Sequence, residues 1–373
     1  MSKTEIINCH IHTFTTAHTP RYFPHPFVAI FRYLPFLVVL LRWIFSLLPY
    51  ERLTDMIARL EKLHTTGGRR TQREVFREVL HYYPRDTRFV VLPMDMALIG
   101  HGPVDTDIQA QHDELAALAK DPDYGQQVIP FATIHPDRPG AFDEFRRCIE
   151  VHGFRGLKIY TKLGYAPDHP LFMDKLYPYC LEHNLPVMSH CSRGGVYHKG
   201  WSQAQQDAVT APQAYETLLK TFPNLRMCLA HFGGDADWNA LLDNGFDPDD
   251  PAARDKNWVS VICRMIESGA YPSLYTDISY TIFKFNTHIP LLRLYLQNER
   301  LRDRVLFGSD FYLTRQESLS EKAISIRLRD ALGELDFHQI ANANPRRWLG
   351  APLAPITTGN PVTNSLTRGA TPS

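Results

Sequence analysis

The sequence predicts an α/β fold, a distorted (β/α)8 TIM barrel with a helical insert after its first strand, and three observations carry that prediction. Eight short runs rich in Val, Ile, Leu and Phe recur along the chain, and longer helical patterns alternate with them. The runs are too continuously apolar to face water, as expected of parallel strands covered by helices. Polar residues stand at the carboxyl ends of many runs, where a parallel barrel gathers its chemistry.

The runs lie at 6–14, 88–96, 128–136, 154–161, 186–192, 225–233, 274–280 and 305–311. Helices are predicted at 106–120, 141–152, 171–183, 212–221, 258–268, 289–298 and 318–332. Their apolar positions recur three or four apart, as in Phe142, Phe145, Cys148 and Ile149. A doubly wound open sheet is the structural competitor, but no G-x-G-x-x-G turn follows the first run and the polar strand ends do not cluster at one crevice.

Two segments depart from a minimal barrel. The stretch at about 15–87 is too long for an ordinary connection and is predicted to be a helical insert near the barrel mouth. It contains an intensely apolar run, 27–49, and a charged segment, 50–81, interrupted by Gly67-Gly68. Arg32, Pro35 and Arg42 break the apolar run, which argues against a transmembrane span. It follows a first core strand and has no A-x-A-like exit, which argues against a signal peptide. Three fates are open to it: a cap on the barrel mouth, an interface in a homo-oligomer, or peripheral contact with a membrane surface. Residues 351–373, polar and without period, read as a disordered tail, which leaves 1–350 as one barrel domain.

Composition narrows the function classes. Hydrophobic residues make up 44% of the 373 and charged residues 21%, as in a folded globular protein. Forty basic residues balance forty acidic ones, so the electrostatic footprint of a nucleic-acid binder is missing and a small-molecule substrate is expected. Six cysteines lie far apart with no CxxC pair, consistent with reduced thiols in a cytoplasmic protein.

His10 and His12 stand two apart at the end of the first run, so a strand points both to one face and Ile11 to the other. Two neutral imidazoles converging inside a barrel are a natural half of a metal site. Alone the pair is weak, since 17 histidines in 373 residues supply roughly one H-x-H by chance. The series that follows changes the weighing: His190 ends the fifth run, His231 the sixth and Asp310 the eighth. Random histidines have no reason to prefer strand ends, and others, such as His64, His112 and His183, fall in helical or loop patterns.

With H-x-H, His, His and Asp on runs one, five, six and eight, the chain resembles the amidohydrolase superfamily. It is most similar to the amidohydrolase-related branch (amidohydrolase 2), which includes metal-dependent hydrolases and non-oxidative decarboxylases such as aminocarboxymuconate-semialdehyde decarboxylase. The resemblance spans residues 4–350, on the motifs NCHIHTF, GLKIY, SHCSRGG, FPNLRMCLAHFGG, LFGSDF and IANANPRRWLG. It implies that His10, His12, His190 and Asp310 hold one divalent metal ion, most often Zn2+, and that His231 stands beside the water the ion activates. Asp310 would serve both the metal and the proton of that water, and His231 would orient the water or stabilise an oxyanion.

Lys158 ends the fourth run, where the resemblance allows a carbamate bridging two metals, a substrate-facing ammonium or a structural ion pair. Arg193, beside Gly194-Gly195, is expected either to pair with a substrate carboxylate or to stand in solvent. Tyr160, and more weakly Asp95, His198 and Trp201, are candidates for the same pocket, whereas Cys9 and Cys191 read as packing residues. The expected activity is that of a metal-dependent hydrolase attacking an ester, lactone or amide carbon of a small carboxylate-bearing substrate. The alternative is metal-dependent non-oxidative decarboxylation of an aromatic or enolic acid, with Arg193 and Lys158 as carboxylate holders. A catalytically dead binding protein is a third class, disfavoured because no expected ligand is missing.

Overall fold

The computed structural model of the chain describes residues 5–23, 43, 65–243, 245–247, 249–316, 320–350, 352–353 and 356. The apolar run 27–49, Trp43 apart, and most of the tail 351–373 lie outside the described residues. Among the described residues, no helix is long and apolar enough to cross a membrane.

Among the described residues, nine parallel strand segments follow one another: β1 (Ile7–Ile11), β2 (Arg88–Val91), β3 (Val128–Pro130), β4 (Ala132–Thr133), β5 (Leu157–Ile159), β6 (Val187–Ser189), β7 (Met227–Leu229), β8 (Leu274–Asp277) and β9 (Val305–Leu306). They pair in chain order, β1-β2-β3 and β4 to β9. Phe131 joins the two sheets: its N–H donates to Val91 O at 3.1 Å, and the next N–H, of Ala132, donates to Gly156 O at 2.9 Å. β3 and β4 are therefore one staggered strand. The circle closes where Cys9 N–H donates to Phe307 O at 2.8 Å and Ile11 bridges Phe311 in parallel. The result is the eight-stranded, distorted (β/α)8 barrel.

The paired segments are shorter than the apolar runs, and after β6, β7 and β9 the strand ends before His190, His231 and Asp310. The register of β1 against β2 shifts between Asn8 and Ile11. Ile7 and Cys9 pack in the barrel interior with Val90, Met188, Cys228 and Leu306. Strict alternation would then aim His10 outward with Asn8. The shift re-aims it, so that His10 and His12 both enter the barrel mouth, a common use of an extra residue in a strand.

Trp348, from the helix Asn344–Leu349, closes the opposite end of the interior and packs on Phe131 with ring centroids 5.5 Å apart. A larger apolar layer, including Leu157, Val187, Leu229 and Ile262, fills the space between strands and outer helices. All six cysteines are free and buried, as packing residues.

Helices occupy most predicted positions, at Ile108–Ala119, Ala141–Glu150, Trp258–Glu267 and Glu321–Leu332 among others. The helix predicted at 171–183 is present, with a π-helical stretch, Phe172–Leu176, running into Tyr177–Glu182, where Pro178 has no N–H to continue the α-helical ladder. Gln72–Leu80 falls within the predicted helical insert, and several helices, Gln203–Thr210 and Asp235–Leu242 among them, lie outside the predicted ranges. Gln72–Leu80 is capped by Thr71, whose side chain accepts the Glu74 N–H, and Gln203–Thr210 by Ser202 in a capping box with Gln205.

Candidate metal centre

The carboxyl ends of the strands deliver five groups to the base of a cavity of about 500 Å3: His10 and His12 from β1, His190 after β6, His231 after β7 and Asp310 after β9. Two of these positions need unusual backbone. His231 has φ 68° and Asp310 φ 63°, in the left-handed region that non-glycine residues seldom occupy. Hydrogen bonds from neighbouring strands hold both, His231 N–H to Asp277 Oδ1 at 2.9 Å and Asp310 N–H to His10 O at 2.8 Å.

The ring nitrogens can be assigned from their partners, because a carbonyl or carboxylate oxygen only accepts. His10 Nδ1 donates to Asp277 Oδ2 at 2.8 Å, and His12 Nδ1 to Leu92 O at 2.7 Å. His190 Nε2 donates to Gly194 O at 3.1 Å. His231 Nδ1 donates to Ser279, whose Oγ lies at 2.9 Å and whose carbonyl lies at 3.3 Å. Ser279 Oγ in turn donates to Asp277 Oδ1. As neutral rings, all four then turn a lone pair inward.

With the His190 proton on Nε2, these lone pairs face one another with no donor among them. Asp310 Oδ1 lies 3.5 Å from His10 Nε2 and 3.2 Å from His12 Nε2. His231 Nε2 is 3.0 Å from His190 Nδ1. His10 Nε2 and Asp310 Oδ1 are buried without a hydrogen-bond partner. Ligand atoms of His10, His12 and Asp310 all lie within 4.8 Å of one another. Converging acceptors of this kind fit a divalent cation, which the N/O donor set suits.

Electrostatics agrees. Burial, then the charge on Lys158, pushes His10 down to about 3. Burial and the neighbouring His231 hold His190 well below the usual imidazole range, and burial lowers His231. Burial alone would raise Asp277 and Asp310. The facing His10 overrides it at Asp277, and His12 with His10 at Asp310, so both carboxyls stay below their ordinary value.

Of the other predicted residues, Tyr160 lines the cavity, its ring stacked on His190 at 4.0 Å between centroids and its Oη accepting the Val196 N–H at 2.9 Å. Lys158 points into the barrel interior, buried, with its Nζ lacking any hydrogen-bond partner, and burial lowers it to about 8. Arg193 corrects the expectation of a substrate-facing or solvated guanidinium. It turns away from the cavity, donates to Asp237 Oδ2 at 2.8 Å and Asp207 Oδ2 at 2.6 Å, and lies over the Trp258 ring at 4.3 Å. Its charge is neutralised before a ligand arrives. Asp95 is likewise taken, by both arms of Arg138 at 2.8 and 2.5 Å. His198 and Trp201 pack on each other at 5.5 Å, outside the cavity lining.

The sequence reading passed over Asp277 and Ser279. Asp277 ends β8 under the same strand-end rule that selected His190, so the signal was present. Its carboxylate orients the His10 ring, and such outer partners are typically worth 10- to 100-fold in metal affinity. Asp277→Asn should weaken zinc binding by about that factor in a chelator competition. An unchanged affinity would remove Asp277 from the centre.

A further buried carboxyl, that of Glu321, lies behind Asp310. Tyr83 Oη donates to Glu321 Oε1 at 2.6 Å and Thr314 Oγ to Oε2 at 3.4 Å. Burial pushes Glu321 from its ordinary 4.5 up to about 7. The folded carboxyl holds its proton more tightly than the unfolded one, so this contribution is fully present below pH 4.5 and lost as pH rises through about 7. From about pH 5 to about pH 8 wild type should lose melting temperature relative to Glu321→Gln, an effect on the order of 3 kcal/mol. Parallel pH profiles for the two proteins would refute it.

A family model described as amidohydrolase matches residues 7–351. Among solved structures, the chain is similar to a probable 2-pyrone-4,6-dicarboxylic acid hydrolase from Acinetobacter baumannii, at 14% identity and TM-score 0.53 over 93% of this chain and 100% of that one. It is also similar to an uncharacterized TIM-barrel protein from Bordetella bronchiseptica, at 16% identity and TM-score 0.54 over 92% and 98%. IDCase from Metarhizium anisopliae, in its apo form, matches at 16% identity and TM-score 0.50 over 93% and 97%. At such identities the likeness speaks for the fold. A comparison with curated proteins finds no match. The family match begins at the first residue of β1 and runs just past the helix that carries Trp348, and the chain belongs to the amidohydrolase family.

Proposed function

We propose that the protein is a metal-dependent hydrolase, in which His10, His12, His190 and Asp310 hold one divalent ion, zinc by donor type, and water attacks an ester, lactone or amide carbon. The observation that carries this reading is the convergence of donor-free lone pairs at the base of the cavity. When bound, such an ion supplies Lewis acidity and lowers the pKa of water from 15.7 towards about 7.

The chain's own groups manage the proton. His231 Nε2 faces the cavity as a neutral base, and its Nδ1–H runs through Ser279 to Asp277, so the imidazolium formed on proton uptake is stabilised by a buried carboxylate. The Asp310 carboxylate is a second acceptor at the same spot. Tyr160, Phe23, Val196 and Leu313 supply wall for a small substrate and exclude water.

The engagement of Arg193 withdraws the carboxylate holder that leaned towards decarboxylation, and with it the expected partner for a carboxylate on the hydrolase substrate, since no Arg or Lys among the described residues lines the cavity. Decarboxylation of an aromatic or enolic acid keeps one supporting observation, the unpartnered ammonium of Lys158 in the barrel interior. A panel of lactones, esters, amides and aromatic acids, read for both hydrolytic product and released carbon dioxide, tests the choice. Hydrolytic product without carbon dioxide is expected. Carbon dioxide from an acid of the panel, with no hydrolysis, would overturn it.

A further inference from the structure

The loop after β6 is fastened by a residue from the next strand over. Lys162, just past β5, is buried, yet its Nζ donates to the carbonyls of Arg193 at 2.5 Å and Gly194 at 2.8 Å. The Gly194 carbonyl is the group that also accepts from His190 Nε2. Both of its lone pairs are thus occupied, one by an ammonium and one by the ring. Gly195, at φ 95°, brings the backbone so close that a Cβ there would stand 2.0 Å from Tyr160 Oη and 2.9 Å from His190 Cε1. On the far side Arg193 ties the loop to Asp237.

His190 has two neutral tautomers, and the site contains a partner for each. The Gly194 carbonyl favours the proton on Nε2. His231 Nε2, 3.0 Å from His190 Nδ1, would accept a proton placed on Nδ1. In that second arrangement the two rings satisfy each other and the lone pair on Nδ1 is spent. Which one prevails depends on whether the Gly194 carbonyl is held against the ring, and the adjoining Gly194-Gly195 pair gives the peptide freedom to turn away.

We infer that Lys162 is a positioning residue that fixes the Gly194 carbonyl and so keeps the His190 proton on Nε2, leaving Nδ1 as the atom offered to a cation. The purpose of that lone pair rests on the metal reading proposed above, whereas the tautomer itself does not. Lys162 touches neither ion nor substrate. It sets which nitrogen of His190 is available.

The test uses full-length protein carrying 15N-histidine, stripped of metal, with the His190 ring resonances assigned by comparison with His190→Gln. Wild type is expected to show His190 protonated on Nε2, and Lys162→Met to shift it towards Nδ1. Zinc affinity of Lys162→Met should fall about 10- to 100-fold, as for other outer partners of metal-binding histidines. Lys162→Arg, which keeps a cationic donor, should restore the wild-type tautomer. A protonated Nδ1 in wild type, or an unchanged tautomer in a folded Lys162→Met, overturns the inference. If Lys162→Met does not fold, Lys162→Gln replaces it under the same criterion. Wild-type protein that binds neither zinc nor cobalt would sink the metal reading and leave the tautomer result standing.

Discussion

Alanine in place of His10, His190 or Asp310 is expected to empty the centre, with metal content falling from about one ion per chain to near zero after dialysis. Each substitution removes one of the inward lone pairs, and for His10 and Asp310 the atoms concerned are buried with no other partner. The charge balance shifts as well. Without Asp310, a divalent ion would have only neutral ligands and a nearby Lys158 ammonium, which repels it. Metal analysis of the purified variants is the measurement. Full occupancy in His190→Ala would show that the ion, if bound, sits nearer β1 and β9 and that His190 serves another purpose. Near two ions per wild-type chain would instead point to Lys158 as a bridging ligand.

His231→Ala should behave differently: metal retained, turnover lost by about 10²- to 10⁴-fold, the usual worth of a positioned general base. The distinction follows from connectivity. His231 is the ring whose second nitrogen runs through a serine hydroxyl to a carboxylate, a path suited to passing charge. Because residue 231 sits at φ 68°, alanine also adds backbone strain, so His231→Asn, better tolerated in that region, serves as the control. Loss of metal in both variants would move His231 into the ligand set.

The strand-end histidines and Asp310 were legible because a parallel barrel leaves few places for reactive side chains, and pattern alone finds those places. What the pattern could not show is where long side chains go next. Arg193 follows His190 closely in sequence, but its partners arrive from 14 and 44 residues away. The shift in β1 was invisible for a similar reason: the residues Ile-Asn-Cys-His-Ile-His carry no mark of which one is extra. The helix Gln203–Thr210 shows little apolar period, and its start is written in the Ser202 and Gln205 cap instead.

The Trp348 ring under Phe131 has a consequence for traffic. With the floor stopped by the Trp348 side chain, the barrel is a sac and not a tunnel. Whatever enters by the mouth leaves by the mouth, and a departing product occupies the route of the next arrival. The loops at that rim, including the one Lys162 and Arg193 tie down, therefore meet every molecule twice, and their stiffness bears on release as much as on capture.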